Sequence, residues 1–208
     1  MKGRPTIAGL SDFIPRIFAA LKKTTFRTET ENKAPSGGTV PATWRGEKSS
    51  IMKKKKTIGI VSHDNRKKDI LEWVSYNWQE LLPHRLVCTG TTGKLVEEAL
   101  TLKCEDYNMV PPEVICLKSG PLGGDQQLGA QIAEGMIDML IFFWDPMQPQ
   151  PHDVDVKALL RIAVLYNIPT ASNRSTADYI VSSSLFHEHY EPIIKDYSGY
   201  IQREVEMH

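Results

Sequence analysis

The sequence predicts an α/β fold in which helices cover both faces of a mainly parallel central sheet. Three observations predict it. From Thr57 onward, short apolar runs alternate regularly with helical stripes. One of these runs, Met139 to Trp144, is continuously apolar, bounded by turn-formers and too short to span a membrane, so it reads as a strand buried on both faces. Each of the first four runs stops at a polar or glycine-rich turn, and a parallel sheet places all such turns at one edge.

Taken in order, Thr57 to Ser62 is the first strand and ends in His63 and Asp64. Arg66 to Leu82 sets Ile70, Trp73, Val74, Trp78 and Leu81 on one helical stripe, which Pro83 closes. Arg85 to Cys88 is the second strand. It runs into Thr89-Gly90-Thr91-Thr92-Gly93, with a helix from about Lys94. A surface loop from Asp106 to Pro112 precedes the third strand, Val114 to Leu117, which ends in Ser119-Gly120 and a Gly123-Gly124 turn before Asp125. Gln126 to Glu134 is helical and stops at Gly135. The central run is followed by Asp145, a loop containing Pro146, Pro149 and Pro151, then His152, Asp153 and Asp155, and a helix from about Asp155 to Tyr166. A short strand around Pro169 to Ser172 and a helix over Thr176 to Val181 come next, and Ile193 with Ile194 is a candidate last strand.

These elements make residues 57–208 one domain of ordinary size. A hydrophobic content of 41% with 24% charged residues belongs to a globular protein, and no apolar run approaches the roughly 18 residues of a membrane helix. Cys88, Cys104 and Cys116 have no zinc-site spacing, so they read as reduced thiols of a cytoplasmic protein.

Residues 1–56 read differently. They hold 13 Lys and Arg against 4 Asp and Glu, a balance of +9, whereas the remaining residues hold 12 against 21, a balance of −9. Ser11 to Lys23 can form a short amphipathic helix capped by Ser11 or Asp12, but Thr24 to Ser50 is too poor in apolar residues to fold alone. The preferred reading is a disordered, solvated leader. An organelle transit peptide is the alternative, and Met52 is an alternative start.

The strand ends carry the chemistry. The first supplies His63 and Lys67, an ammonium near a helix start. The second supplies Thr89, Gly90, Thr91 and Thr92, a phosphate-cradle-like turn that lacks the Gly-Lys-Ser/Thr ending of a nucleotide-binding loop. The third supplies Ser119, Gly120 and Asp125, where Asp125 reads as a carboxylate held against a small substrate or as a plain helix cap. The fourth supplies Asp145, His152 and Asp155, with Asp153 read as a cap. Titratable groups concentrated at strand ends favour a site. The set suggests proton abstraction next to the carbonyl of a small phosphorylated compound. No metal is called for, although His63, His152 and the acids could hold one.

Four segments carry a family resemblance: HDNRK at 63–67, TGTTG at 89–93, SGPLGGDQQ at 119–127 and FFWDPMQPQPHDVDVKALLR at 142–161. Together they resemble methylglyoxal synthase, from about Thr57 to Tyr200. The resemblance implies a three-layer Rossmann-like fold and a cofactor-free lyase that turns dihydroxyacetone phosphate into methylglyoxal and inorganic phosphate. It further implies a homohexamer inhibited by phosphate. No membrane or nucleic-acid partner is expected, since no apolar run is long enough to span a membrane and the basic leader lacks aromatic interleaving and a folded platform. By position, Asp125 stands where the family has its catalytic base. His63, Lys67, Thr89, Gly90, Thr91, Thr92, Ser119, Gly120 and His152 stand where it binds substrate, with His152 also near the carbonyl oxygen. Asp145 and Asp155 match its accessory acids, expected to orient His152 or shuttle protons. The leader and a longer loop between Leu102 and Pro112 depart from the pattern. The rivals are a non-catalytic regulatory module of the same fold that binds a phosphorylated effector, and a nucleic-acid-binding protein resting on the basic leader alone.

Overall fold

The computed structural model describes Pro15, residues 55–149 and residues 151–197. The helix expected over Ser11–Lys23 lies outside the described residues except for Pro15, which is helical, and so does the rest of the basic segment up to Lys54.

The chain alternates strand and helix as β1 (Thr57–Ser62), α1 (Lys67–Tyr76), α2 (Trp78–Leu81), β2 (Arg85–Cys88), α3 (Gly90–Asp106), β3 (Val114–Cys116), α4 (Gly124–Ala133), β4 (Met139–Phe143), α5 (Asp153–Leu165), β5 (Thr170–Ala171) and α6 (Arg174–Ser182). The five strands form one parallel sheet in the order β3-β2-β1-β4-β5. From β1 the chain winds outward to β2 and β3, then returns to place β4 on the other side of β1. The carboxyl ends of β1 and β4 therefore flank the topological switch point, where open α/β sheets bind ligands. Their register pairs Ser62 with Phe143, so both strands stop at the same level.

Every residue of β4 is buried, as a central strand covered on both faces requires. Alternate side chains go to opposite layers. Leu140 and Phe142 join Val61 and Val87 in a core completed by Leu128 and Ile132 of α4 and Val156, Leu159 and Ala163 of α5. On the other face Phe143 meets the Trp73 ring of α1 edge-on, with centroids 6.2 Å apart.

The stripe predicted for the first helix is buried at all five positions, yet the helix is two. Asn77 leaves helical geometry (φ −97°, ψ 18°), and its Nδ2 donates to the Trp73 carbonyl at 2.9 Å. A short polar side chain that bonds its own backbone interrupts a helix without disturbing the apolar period. Four helices begin earlier than the pattern places them, at Gly90, Gly124, Asp153 and Arg174. Their first turns lie at the site edge of the sheet, where helical residues need not be apolar, so the period is silent there. Trp144 falls just outside β4, and no strand forms at Ile193 and Ile194, where Asn167 Nδ2 instead donates to the Ile193 carbonyl.

Lys56 packs with the folded body. It is only 1% exposed, and its Nζ donates to the Phe186 carbonyl at 2.7 Å and the Glu188 carbonyl at 2.9 Å, while its backbone N–H donates to His84 Nδ1 at 3.1 Å. Burial lowers the Lys56 pKa, partly offset by the Asp138 charge. This clasp ties the segment after α6 to the start of β1. Lys56→Ala leaves both carbonyls without their donor and is expected to cost about 2–4 kcal/mol of stability. Denaturant unfolding of the variant measures this, and a loss below about 0.5 kcal/mol would show that the clasp is dispensable.

Candidate active site

One cleft opens at the carboxyl ends of β1, β2 and β3. It is lined by His63 and Lys67 from the first strand end, Thr89 to Thr92 from the second, Ser119, Gly120 and Asp125 from the third, and His152 from the fourth. Asp145 and Asp155 do not line it.

At one end lies a set of donors. Thr89 caps α3 in extended geometry, so Gly90 to Thr92 form the first turn of the helix rather than a loop ahead of it. A helix start leaves backbone N–H groups free and favours negative charge. Lys67, the first residue of α1, leans across to Thr91, donating from Nζ to Oγ1 at 2.5 Å, and also pairs with Asp64. Its side chain is 19% exposed, far from the solvated lysine of an ordinary helix surface. The Thr92 hydroxyl is turned the other way and donates to the Ser62 carbonyl at 3.4 Å, fixing α3 to β1.

At the other end lie a carboxylate and two imidazoles. Asp125 sits in the first turn of α4, whose cap is Gly123 in the left-handed region (φ 95°), so Asp125 is not the cap. The carboxylate is 3% exposed, and its Oδ2 has no hydrogen bond among the described residues. His152 Nε2 stands 3.6 Å from that oxygen, and its buried Nδ1 is also unpartnered. Burial pushes the Asp125 pKa up, and the Asp155 charge adds to this against the opposing pull of His152 and His63. Here Asp155 acts through its field. His63 lies edge-on to Phe142 at 5.2 Å and to His152 at 6.2 Å between ring centroids. Burial holds its pKa below the usual imidazole value.

The Ser119-Gly120 step joins the two ends. A Cβ on Gly90 would fall 2.6 Å from the Ser119 Cα, and Gly90 has φ 40°, so this glycine exists for contact between two backbones. A Cβ on Gly120 would fall 2.7 Å from His152 Nε2 and 3.0 Å from Asp125 Oδ2. Gly93, the last residue of the 89–93 run, packs under Cys116, where a Cβ would meet Sγ at 2.6 Å.

His152 caps α5 through its backbone, with no side-chain cap bond, while Asp153 and Asp155 occupy the first turn. Asp145 makes no hydrogen bond to His152. Its Oδ2 accepts from Asn65 Nδ2 and its Oδ1 from the Met147 N–H, each at 3.1 Å, and these two bonds lower its pKa, Asn65 most. Its backbone N–H donates to His63 Nδ1 at 3.3 Å. Among the described residues, no group of three or more His, Cys, Asp or Glu is placed to hold a metal ion. No described helix is long and apolar enough to cross a membrane.

Sequence reasoning passed over Asp64, Asn65 and Phe142. The spacing of Asp64 and Lys67, three apart at a helix entry, was a readable signal for the first pair. Asn65 and Phe142 fall inside segments that carry the resemblance, but no residue pattern marks what they touch, because their roles depend on strand ends distant along the chain.

Known proteins of one family are similar to this chain. The MGS-like domain family matches residues 69–172. Methylglyoxal synthase of Maridesulfovibrio salexigens is 58% identical over 159 residues, 74% of this chain and 100% of that one. The enzyme of the same name from Leptospira interrogans is 52% identical over 149 residues, 72% of this chain and 94% of its own. The crystal structure of methylglyoxal synthase from Elizabethkingia anophelis superposes with a TM-score of 0.65 at 47% identity, covering 74% of this chain and 95% of that one. With its cleft assembled from the same four segments that carry the resemblance, the chain belongs to the methylglyoxal synthase family.

Proposed function

We propose that this protein is a methylglyoxal synthase, a lyase that converts dihydroxyacetone phosphate to methylglyoxal and inorganic phosphate. The observation that carries the reading is the pairing, in one cleft, of an unpartnered buried carboxylate of raised pKa with a lysine-threonine-helix-start anion site.

The phosphate lies against Lys67, the α3 start and Ser119. Ionised Asp125 removes a proton from the hydroxymethyl carbon beside the ketone. The electrons of that C–H bond form a double bond to the carbonyl carbon, and charge moves onto its oxygen. His152, with His63 opposite, donates to that oxygen, a stabilisation available only as the charge develops. The hydroxyl on the former hydroxymethyl carbon then passes its proton to the departing phosphate and becomes the aldehyde. The double bond shifts toward the phosphate-bearing carbon, whose C–O bond breaks. The departing phosphate is held by the same donors that bound it, and the enol released becomes methylglyoxal by taking up a proton. Asp155 raises the basicity of Asp125 through its charge, and Asp145 positions rather than reacts.

The same reading makes the protein a homohexamer of the cytoplasm, inhibited by phosphate and working without a cofactor. It leaves residues 1–56 outside the chemistry, since every group used begins at His63. The direct test is methylglyoxal release from dihydroxyacetone phosphate by the purified full chain with no metal added. Binding of the substrate without release would turn the assignment toward a regulatory module.

Lys67→Ala separates binding from chemistry. Losing one charge-assisted contact to phosphate is expected to raise KM about 10- to 100-fold and weaken phosphate inhibition in parallel, because both ligands use one site. Steady-state kinetics with phosphate as inhibitor checks this. Inhibition that stays at wild-type strength would place the inhibitor elsewhere.

A further inference from the structure

Asn65 stands in the short turn Asp64–Arg66, two residues past His63, and does not line the cleft. Its amide nevertheless starts a chain of bonds that ends there. Asn65 Nδ2 donates to Asp145 Oδ2, the Met147 N–H takes the other oxygen, and the clamped Asp145 directs its own backbone N–H to His63 Nδ1. A neutral imidazole whose Nδ1 accepts a hydrogen bond must carry its proton on Nε2. His63 Nε2 is buried, has no partner among the described residues, and belongs to a ring that lines the cleft. The backbone on both sides is also fixed, since the His63 N–H donates to the Phe143 carbonyl at 3.2 Å.

We infer that Asn65 is a positioning residue for the reaction: by clamping Asp145 across the β1–β4 switch point, it holds His63 in the Nε2–H tautomer and aims that proton at the substrate oxygen. The inference rests on the reading of the cleft as the site where dihydroxyacetone phosphate reacts. It differs from a packing role because Asn65 is exposed and contributes a donor, not volume. Replacing the donor should matter more than removing the side chain. Asn65→Asp keeps the shape but sets an acceptor against the Asp145 carboxylate, whereas Asn65→Ala only deletes the bond.

The experiment uses the full chain labelled with 15N-histidine, with His63 assigned by loss of its signals in His63→Gln. Long-range proton–nitrogen spectra read the tautomer directly, and steady-state kinetics are run on the same samples. Wild type should show the Nε2–H pattern at His63. Asn65→Ala should show a mixture of tautomers and a kcat lower by about tenfold with KM changed less than about threefold. Asn65→Asp should be worse in both readouts. An unchanged His63 pattern in both variants would overturn the inference whatever the activity. A changed pattern with kcat at wild-type level would remove His63 from the reaction and overturn the inference too, while leaving Asp125 as the base untouched.

Discussion

Asp125→Asn is expected to lower turnover by about 100- to 10,000-fold while leaving the fold intact, the usual range for loss of a general base. The amide keeps the shape of the carboxylate but cannot accept the proton. The variant should be no less stable than wild type. Burial raises the folded-state pKa of Asp125 above its unfolded value, so between those two values the native protein binds more protons than the unfolded chain. Stability therefore falls as pH rises through that window, and the ionised carboxylate is a net cost at neutral pH. Replacing it with a neutral group removes the cost, as happens at sites where function opposes stability. The same shift fixes the acid limb of kcat/KM: only ionised Asp125 works, so activity should fall on acidification at a pH above the ordinary aspartate range. Asp155→Asn, which removes one of the charges raising that pKa, should move the limb to lower pH. Turnover of Asp125→Asn within tenfold of wild type would take Asp125 out of the role.

Gly120→Ala carries the second large effect. The added methyl would sit 2.7 Å from His152 Nε2 and 3.0 Å from Asp125 Oδ2, both ends of side chains that can swing aside. The backbone at Gly120 is not in the left-handed region, so the methyl strains nothing in the main chain. The fold should survive with a thermal midpoint near wild type, while the base and the imidazole are pushed from the positions they share. A displacement approaching 1 Å at reacting groups is worth about 100-fold in rate. The loss should fall on kcat more than on KM, because the lysine-threonine end is untouched. Gly90→Ala should behave in the opposite way, losing stability first, since its methyl meets the backbone of Ser119 rather than a mobile side chain. Thermal unfolding and steady-state kinetics on the two variants, side by side, decide this. A Gly120→Ala enzyme with wild-type kcat would show that the site tolerates more room than the geometry allows.

The pattern of residues along the chain was enough to establish the α/β class, the order of the strands and the central place of the Met139–Phe143 strand. It also determined which four turns meet at the site. These follow from local rules: apolar runs must be buried, helical stripes must face a sheet, and parallel strands present their ends at one edge. The motifs then named Asp125, Lys67 and His152, because a carboxylate, an ammonium and an imidazole are conspicuous beside glycines. Tertiary structure alone decided what each residue touches. That Gly90 serves Ser119 and Gly93 serves Cys116, that Lys67 reaches Thr91, and that Asp145 bonds to Asn65 and not to His152 depend on the spacing of neighbouring strand ends, which periodicity does not encode. Lys56 is the sharpest case. In the chain it is the last of four lysines, indistinguishable from its neighbours, and it becomes a buried clasp only because the segment at Phe186 and Glu188 returns to offer it two carbonyls. A charge is buried where distant backbone can satisfy it, and that distance is visible only after folding.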